Sequence, residues 1–300
     1  MVYRPRLLYS LCIILVLSLF GGCRKGARET SKTERLMDEA MDTTGLLLRY
    51  HNNLFSIPSP YQAAYIIHQH DVNFSRALLN DPERYARYTT SFKKALNLGV
   101  YGTDLGYLNI FNRDQELQSY FKVFQSLAGD LGLRNALAPV ELETVKNRFM
   151  TGDSAIYHLS STYRKFDAYL REHNRQKLGA LVLAGGWIES NYILSQIVLE
   201  SNERQLINRL GEQKYVLENL IELLSSYYYE ARRYTELVDA LVDIAYEYDG
   251  VIYNYYYKKP VVKEEQKLTI IRSTSNVVIS EYHIQTISKK LSKLRNKIVS

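Results

Sequence analysis

The chain has 300 residues, a formal net charge of +6 and only two cysteines. Its length suits one large domain or two small ones, and so mild a charge argues against a nucleic-acid partner. Tyrosine is in excess, with 26 against 9 Phe and one Trp; an apolar ring with a polar tip suits helix faces that are only partly dry.

Arg4 and Arg6 open the chain, an apolar run from Leu7 to Phe20 follows, and Gly21-Gly22-Cys23 closes it. This is the order of a secretory signal, with small residues where a peptidase must approach the backbone. The run has 14 residues, short of the ~18 expected of a membrane-spanning helix. Phe20-Gly21-Gly22-Cys23 resembles the lipobox of bacterial lipoproteins, with Phe where Leu is usual. That resemblance implies cleavage before Cys23, a diacylglycerol on its sulfur and an acyl chain, such as palmitate, on the new amino group. Two or more acyl chains, at ~0.8 kcal/mol per buried CH₂, hold a protein on a membrane without spanning it. Cys12 would leave with residues 1–22, so a disulfide framework, thiol catalysis and cysteine-rich metal sites are excluded. Arg24, Lys25 and Arg28 then precede the first acid, Glu29. Surface-exported lipoproteins of the Bacteroidota type usually carry acids just after the Cys. The expected location is therefore the outer membrane, facing the periplasm.

From residue 31 the apolar period is helical and alternating runs are scarce. Residues 23–30 read as a tether, 31–249 as a helical domain, 250–275 as a Tyr-rich connection and 276–300 as an amphipathic C-terminal helix. Ser31 and Glu34 have capping-box spacing for a helix over 31–50. Ser59-Pro60 opens one running to about His70, and Asn80-Asp81-Pro82-Glu83 opens the next, which carries Tyr85, Tyr88, Phe92 and Leu96 on one face. Further helices are expected over 100–111, 114–131, 139–149, 154–173, 177–199, 203–229, 233–249 and 278–298. The last places Ile284, Ile287, Leu291, Leu294 and Ile298 on one stripe, to dock on the body or on a partner. Its cations, Lys289, Lys290, Lys293, Arg295 and Lys297, read as a solvated face at the negative end of the helix in preference to a contact with anionic lipid or an acidic partner. The tyrosines of 253–257 read as a long loop packed onto the helices, with 269–272 briefly extended. The fold class is all-α: an antiparallel multi-helix bundle or a short α-solenoid of helical hairpins.

Two glycine-rich stretches, LGVYGTDLGYLNI (98–110) and LVLAGGWIESNYI (181–193), align without gaps at an offset of 83 residues. Leu98 meets Leu181, Gly102 meets Gly185 and Ile110 meets Ile193, a thin trace of a repeat. Several glycines within a helix cost about 1 kcal/mol each against Ala and need a reason. Close helix crossing is the preferred one. The other is a polar ligand cleft lined by Tyr101, Asp104 and Tyr107 from one stretch and Trp187, Glu189 and Asn191 from the other, suited to a glycan or peptide. LNLGVYGTDLGYL is also similar to a stretch found in helical lipoproteins of the Bacteroidota type, which carry no established activity.

His68 and His70 lie two apart, on different sides of a helix, so with His51 they read as solvated residues rather than a metal site. No G-x-S-x-G elbow, H-E-x-x-H or phosphate loop occurs. The missing motifs weigh against an enzyme, and no cofactor is implied. The partners expected are the membrane, through the lipid anchor, and an envelope protein. A small-ligand-binding lipoprotein is the alternative.

Overall fold

The computed structural model describes residues 46–50, 53–57, 67, 70, 72–137, 168–264 and 268–300. Cys23, the tether, His51, His68, the helix expected over 139–149 and most of those expected over 31–50, 59–70 and 154–173 lie outside these residues. The described part is all-α, with helices packed as a bundle and three small two-stranded antiparallel ladders. Strand β1 (Leu46–Tyr50) pairs with β2 (Asn53–Ile57), where the sequence suggested the end of a helix.

The eight described helices are α1 (Ser91–Ile110), α2 (Asp114–Asp130), the single turn α3 (Arg134–Leu137), α4 (Gln176–Ser201), α5 (Arg204–Gly211), α6 (Gln213–Ser225), α7 (Arg232–Tyr248) and α8 (Glu281–Val299). The helix expected from Asn80 onward is split. Pro82–Arg87 forms a 3₁₀ helix capped by Asp81, and α1 starts afresh at Thr90, whose side chain accepts the Lys93 N–H. Asn80, just before the cap, is fully buried and bonds inward to Tyr88 and Asn97. The helix expected over 203–229 breaks at Glu212 into α5 and α6.

Helices α1 and α4 are the centre of the bundle, and their mutual contact is the most extensive among the described residues. Both are apolar around most of their circumference, as a helix sheathed by others must be. From Ala95 to Ile110 only Gly102 and Gly106 escape full burial. The crossing depends on Gly99 and Gly185. A Cβ on Gly99 would lie 2.0 Å from the Val182 carbonyl oxygen, and one on Gly185 would lie 1.9 Å from that of Leu96. Thr103 Oγ1 donates to the Gly186 carbonyl at 3.2 Å. Gly99 with Val182 and Thr103 with Gly186 are both pairs at the 83-residue offset, so the two stretches meet at equivalent positions. The closest approaches are at Gly185 and Gly99; the four-residue spacing of Gly102 and Gly106 would also suit a crossing, but a Cβ on Gly102 meets only Phe124.

Helix α8 docks on the body. Ser280 caps it, and Ile284, Ile287, Leu291, Leu294 and Ile298 are all buried. Lys290 pairs with Asp243 and Glu247, and Lys297 with Glu236, stitching α8 to α7. The final carbonyls also accept inward bonds, Ile298 O from Asn97 Nδ2 at 2.9 Å and Ser300 O from Lys93 Nζ at 3.0 Å.

Residues 252–264 and 268–278 are not a packed loop. Strand β3 (Ile252–Tyr256) pairs with β6 (Thr274–Val278), and β4 (Val261–Lys263) with β5 (Leu268–Ile270), nested as successive ladders of one hairpin. The base is seated on the α5–α6 junction. Tyr253 OH donates to Gly211 O, Val277 is buried, and its side chain occupies the space a Cβ on Gly211 would need. Beyond the base most of the described residues are exposed.

Candidate functional site

All six residues proposed from sequence as a ligand site lie in the interior. Tyr101, Asp104, Tyr107 and Glu189 have no exposure, Asn191 has 2 % and Trp187 has 3 %. The close glycine crossing brings Asp104 of α1 beside Glu189 of α4. Tyr101 and Tyr107 leave this pair: Tyr101 OH donates to Asp81 O at 2.7 Å, and Tyr107 OH accepts the Ser75 N–H at 3.2 Å. Asn191 Nδ2 bonds back to Trp187 O at 2.9 Å and to Gln213 Oε1 at 3.4 Å. The Trp187 indole N–H has no hydrogen-bond partner among the described residues. These are the contacts of packed core side chains, not of groups converging on an open cleft.

A third member was read from sequence as part of a solvated basic face. Arg295 of α8 is 5 % exposed and makes a bidentate pair with Glu189, Nε to Oε2 at 3.0 Å and Nη2 to Oε1 at 2.9 Å. Its guanidinium lies 4.8 Å from the centre of the Tyr192 ring, a cation–π contact. Its spacing offered a partial signal, because Arg295 follows Leu291 and Leu294 on the buried stripe while Lys289 and Lys293 face out. Nothing in the sequence named its partner 106 residues away.

Two carboxyls and one guanidinium share this dry centre, and their protonation follows from burial. Desolvation raises the Asp104 carboxyl well above the usual carboxylate range, and the adjacent Glu189 charge raises it further. Glu189 is raised by burial too, but Arg295 opposes this directly through charge and hydrogen bonds. The neutral arrangement therefore puts the proton on Asp104 and the charge on Glu189. The hydrogen bonds agree. Asp104 Oδ2 accepts the Asn80 N–H at 3.2 Å, whereas Oδ1 has no partner as a carboxylate oxygen. A proton on Oδ1 gives it a bond to donate to Glu189. Paired acids of a glycoside hydrolase need a separation that admits the scissile bond; here they are hydrogen-bonding neighbours, fully enclosed.

Asp104→Asn tests this assignment, because the amide keeps both an acceptor for Asn80 and a donor for Glu189. A carboxyl raised on folding stabilises fully below its unfolded pKa, and that contribution is lost as pH rises through its folded value. Between those limits the parent should lose about 1.4 kcal/mol per pH unit relative to Asp104→Asn. Urea midpoints from pH 4 to 8 measure the difference. Parallel curves would mean that Asp104 is ionised in the fold.

Among the described residues no cluster of His, Cys, Asp and Glu could hold a metal, and no helix is long and apolar enough to cross a membrane. A groove of about 220 Å³ lies between α1, α7 and α8, floored by Leu96, Leu237 and Leu294 and rimmed by Lys93, Arg233 and Lys297; none of the six residues lines it. No protein-family model, curated protein or solved structure matches this chain.

Proposed function

We propose that this chain is a lipid-anchored cell-envelope protein that works by binding, as a scaffold or accessory subunit of a membrane-associated assembly. The observation that carries the reading is the enclosure of all six candidate ligand residues. A glycan or peptide at Asp104 and Glu189 would have to displace core packing, so binding falls to the outer surface. That surface has large apolar groups to offer, with Tyr229 94 % exposed and Tyr246 and Tyr282 each 68 % exposed. Single exposed apolar residues are ordinary; several large rings on one chain are a resource for contact.

The proposed address rests on Phe20-Gly21-Gly22-Cys23, and the outer membrane facing the periplasm on the basic residues that follow. Cross-linking in intact cells, with the parent beside Cys23→Ser, tests both parts. The parent should yield one abundant, reproducible envelope partner and an N-terminal peptide whose mass includes acyl chains on Cys23. Cys23→Ser should lack the acyl mass and lose most of the captured partner. A monomeric chain that captures no envelope protein would sink the scaffold reading, and an unmodified Cys23 the anchor.

A further inference from the structure

The hairpin over 252–278 is anchored at its base and open beyond it. Tyr255, Tyr256 and Tyr257 are 65 %, 55 % and 70 % exposed, Val262 60 % and Ile271 75 %. The register puts Val261 opposite Ile270 and Lys263 opposite Leu268, so the distal ladder carries aliphatic groups beside a cation on one face. Lys258, Lys259, Lys263 and Arg272 are all exposed there, and the sequence of 252–278 holds five cations against two acids, Glu264 and Glu265. None of the four exposed cations pairs with a carboxylate among the described residues, whereas on the helices Lys177, Lys214, Lys290 and Lys297 are paired.

We propose that this hairpin is a second membrane contact, lying on an anionic lipid surface with its aliphatic side chains in the headgroup boundary. Three features select that occupant. Tyr rings favour the interface, where one end is apolar and the other wet. Unpaired cations gain from anionic headgroups, each strengthening attachment about fivefold close to the surface. A second copy of the chain is disfavoured, because it would set four cations against four. The base fixes the ribbon to the fold: Arg204 Nη2 donates to Val277 O at 2.6 Å, and the Tyr253 ring lies 5.3 Å from that of Tyr215. A hairpin held in this way lays its contact residues on the lipid without folding on arrival.

The inference goes beyond the scaffold reading and is tested apart from it. The full chain carrying Cys12→Ser, Cys23→Ser and Ile271→Cys takes an environment-sensitive fluorophore at residue 271. It is reconstituted in nanodiscs of phosphatidylcholine, with or without phosphatidylglycerol. The expected result is a blue shift and quenching by nitroxide-labelled lipid in the anionic discs, both much weaker in the neutral ones. Adding Lys258→Glu, Lys259→Glu, Lys263→Glu and Arg272→Glu should weaken the signal at least a hundredfold in lipid titration, with thermal melting unchanged because all four are exposed. A probe that stays water-like in both discs overturns the proposal, as does an equal response in the two. A blue shift without lipid quenching also overturns it and identifies a protein contact instead. Since residue 23 cannot be acylated here, failure of the anchor leaves this result standing.

Discussion

Arg295→Met should lower folding stability by about 3–5 kcal/mol, because it leaves Glu189 as an uncompensated charge in a dry core. For a chain of this size that is a fall of roughly 10 °C in melting temperature. The loss comes from the pair and not from packing alone, since Met nearly fills the volume vacated by the aliphatic stem. Glu189→Gln should also destabilise, leaving the guanidinium without its bidentate acceptor. The double variant, Glu189→Gln with Arg295→Met, should lose clearly less than the two single losses added together, as partners in one network do. Arg295→Lys should rescue little, since a point-like ammonium cannot reproduce two parallel bonds to one carboxylate. Thermal melting of the four variants beside the parent at pH 7 provides the comparison. If Arg295→Met melts within a degree or two of the parent, the pair is not the buried one described.

Gly99→Ala and Gly185→Ala should be at least as damaging. The added methyls would stand 2.0 and 1.9 Å from backbone carbonyl oxygens on the facing helix, and backbone cannot swing aside as a side chain can. Helices α1 and α4 must separate, which also pulls Asp104 away from Glu189. Overpacking usually costs 1–3 kcal/mol; with backbone on both sides we expect about 3 or more. Gly102→Ala, three residues along the same helix, should do the opposite. Its Cβ would meet only Phe124 Cε2 at 3.5 Å, an ordinary contact, so the helix gains roughly 1 kcal/mol in propensity. Urea unfolding of the three variants measures the contrast. Equal effects at Gly99 and Gly102 would mean that the crossing does not depend on the missing side chains.

The sequence was most readable where one periodic signal decided the outcome. The stripe Ile284–Ile287–Leu291–Leu294–Ile298 placed α8 and its buried face correctly, because helical period and burial are one fact seen twice. The glycine stretches announced a crossing for the same reason: backbone approach needs glycine, and little else explains so many in an apolar helix. What the spacing misplaced was the contact point, since Gly99 and Gly102 look alike until the partner backbone is present. The start at Asn80-Asp81-Pro82-Glu83 was read correctly as a cap with Pro in the first turn, but not its extent: the turn is 3₁₀ and stops at Arg87, and α1 begins again at Thr90. The hairpin was missed because its alternation is blurred by four exposed cations and by runs of tyrosine that suit either face. Arg295 was the deepest omission, as charge alone cannot distinguish a solvated residue from one whose partner is 106 positions away.

That separation has a consequence for the order of assembly. Glu189 can be buried at low cost only with Arg295 in place, and Arg295 Nη2 also reaches Leu78 O across 217 residues. Loops of this length close late, because chain entropy is lost before such contacts reward it. The polypeptide therefore cannot seal its centre while residues before 295 are still being made. Closure of the core waits for Arg295 to join Glu189 and Leu78, so it is expected as one late, cooperative event.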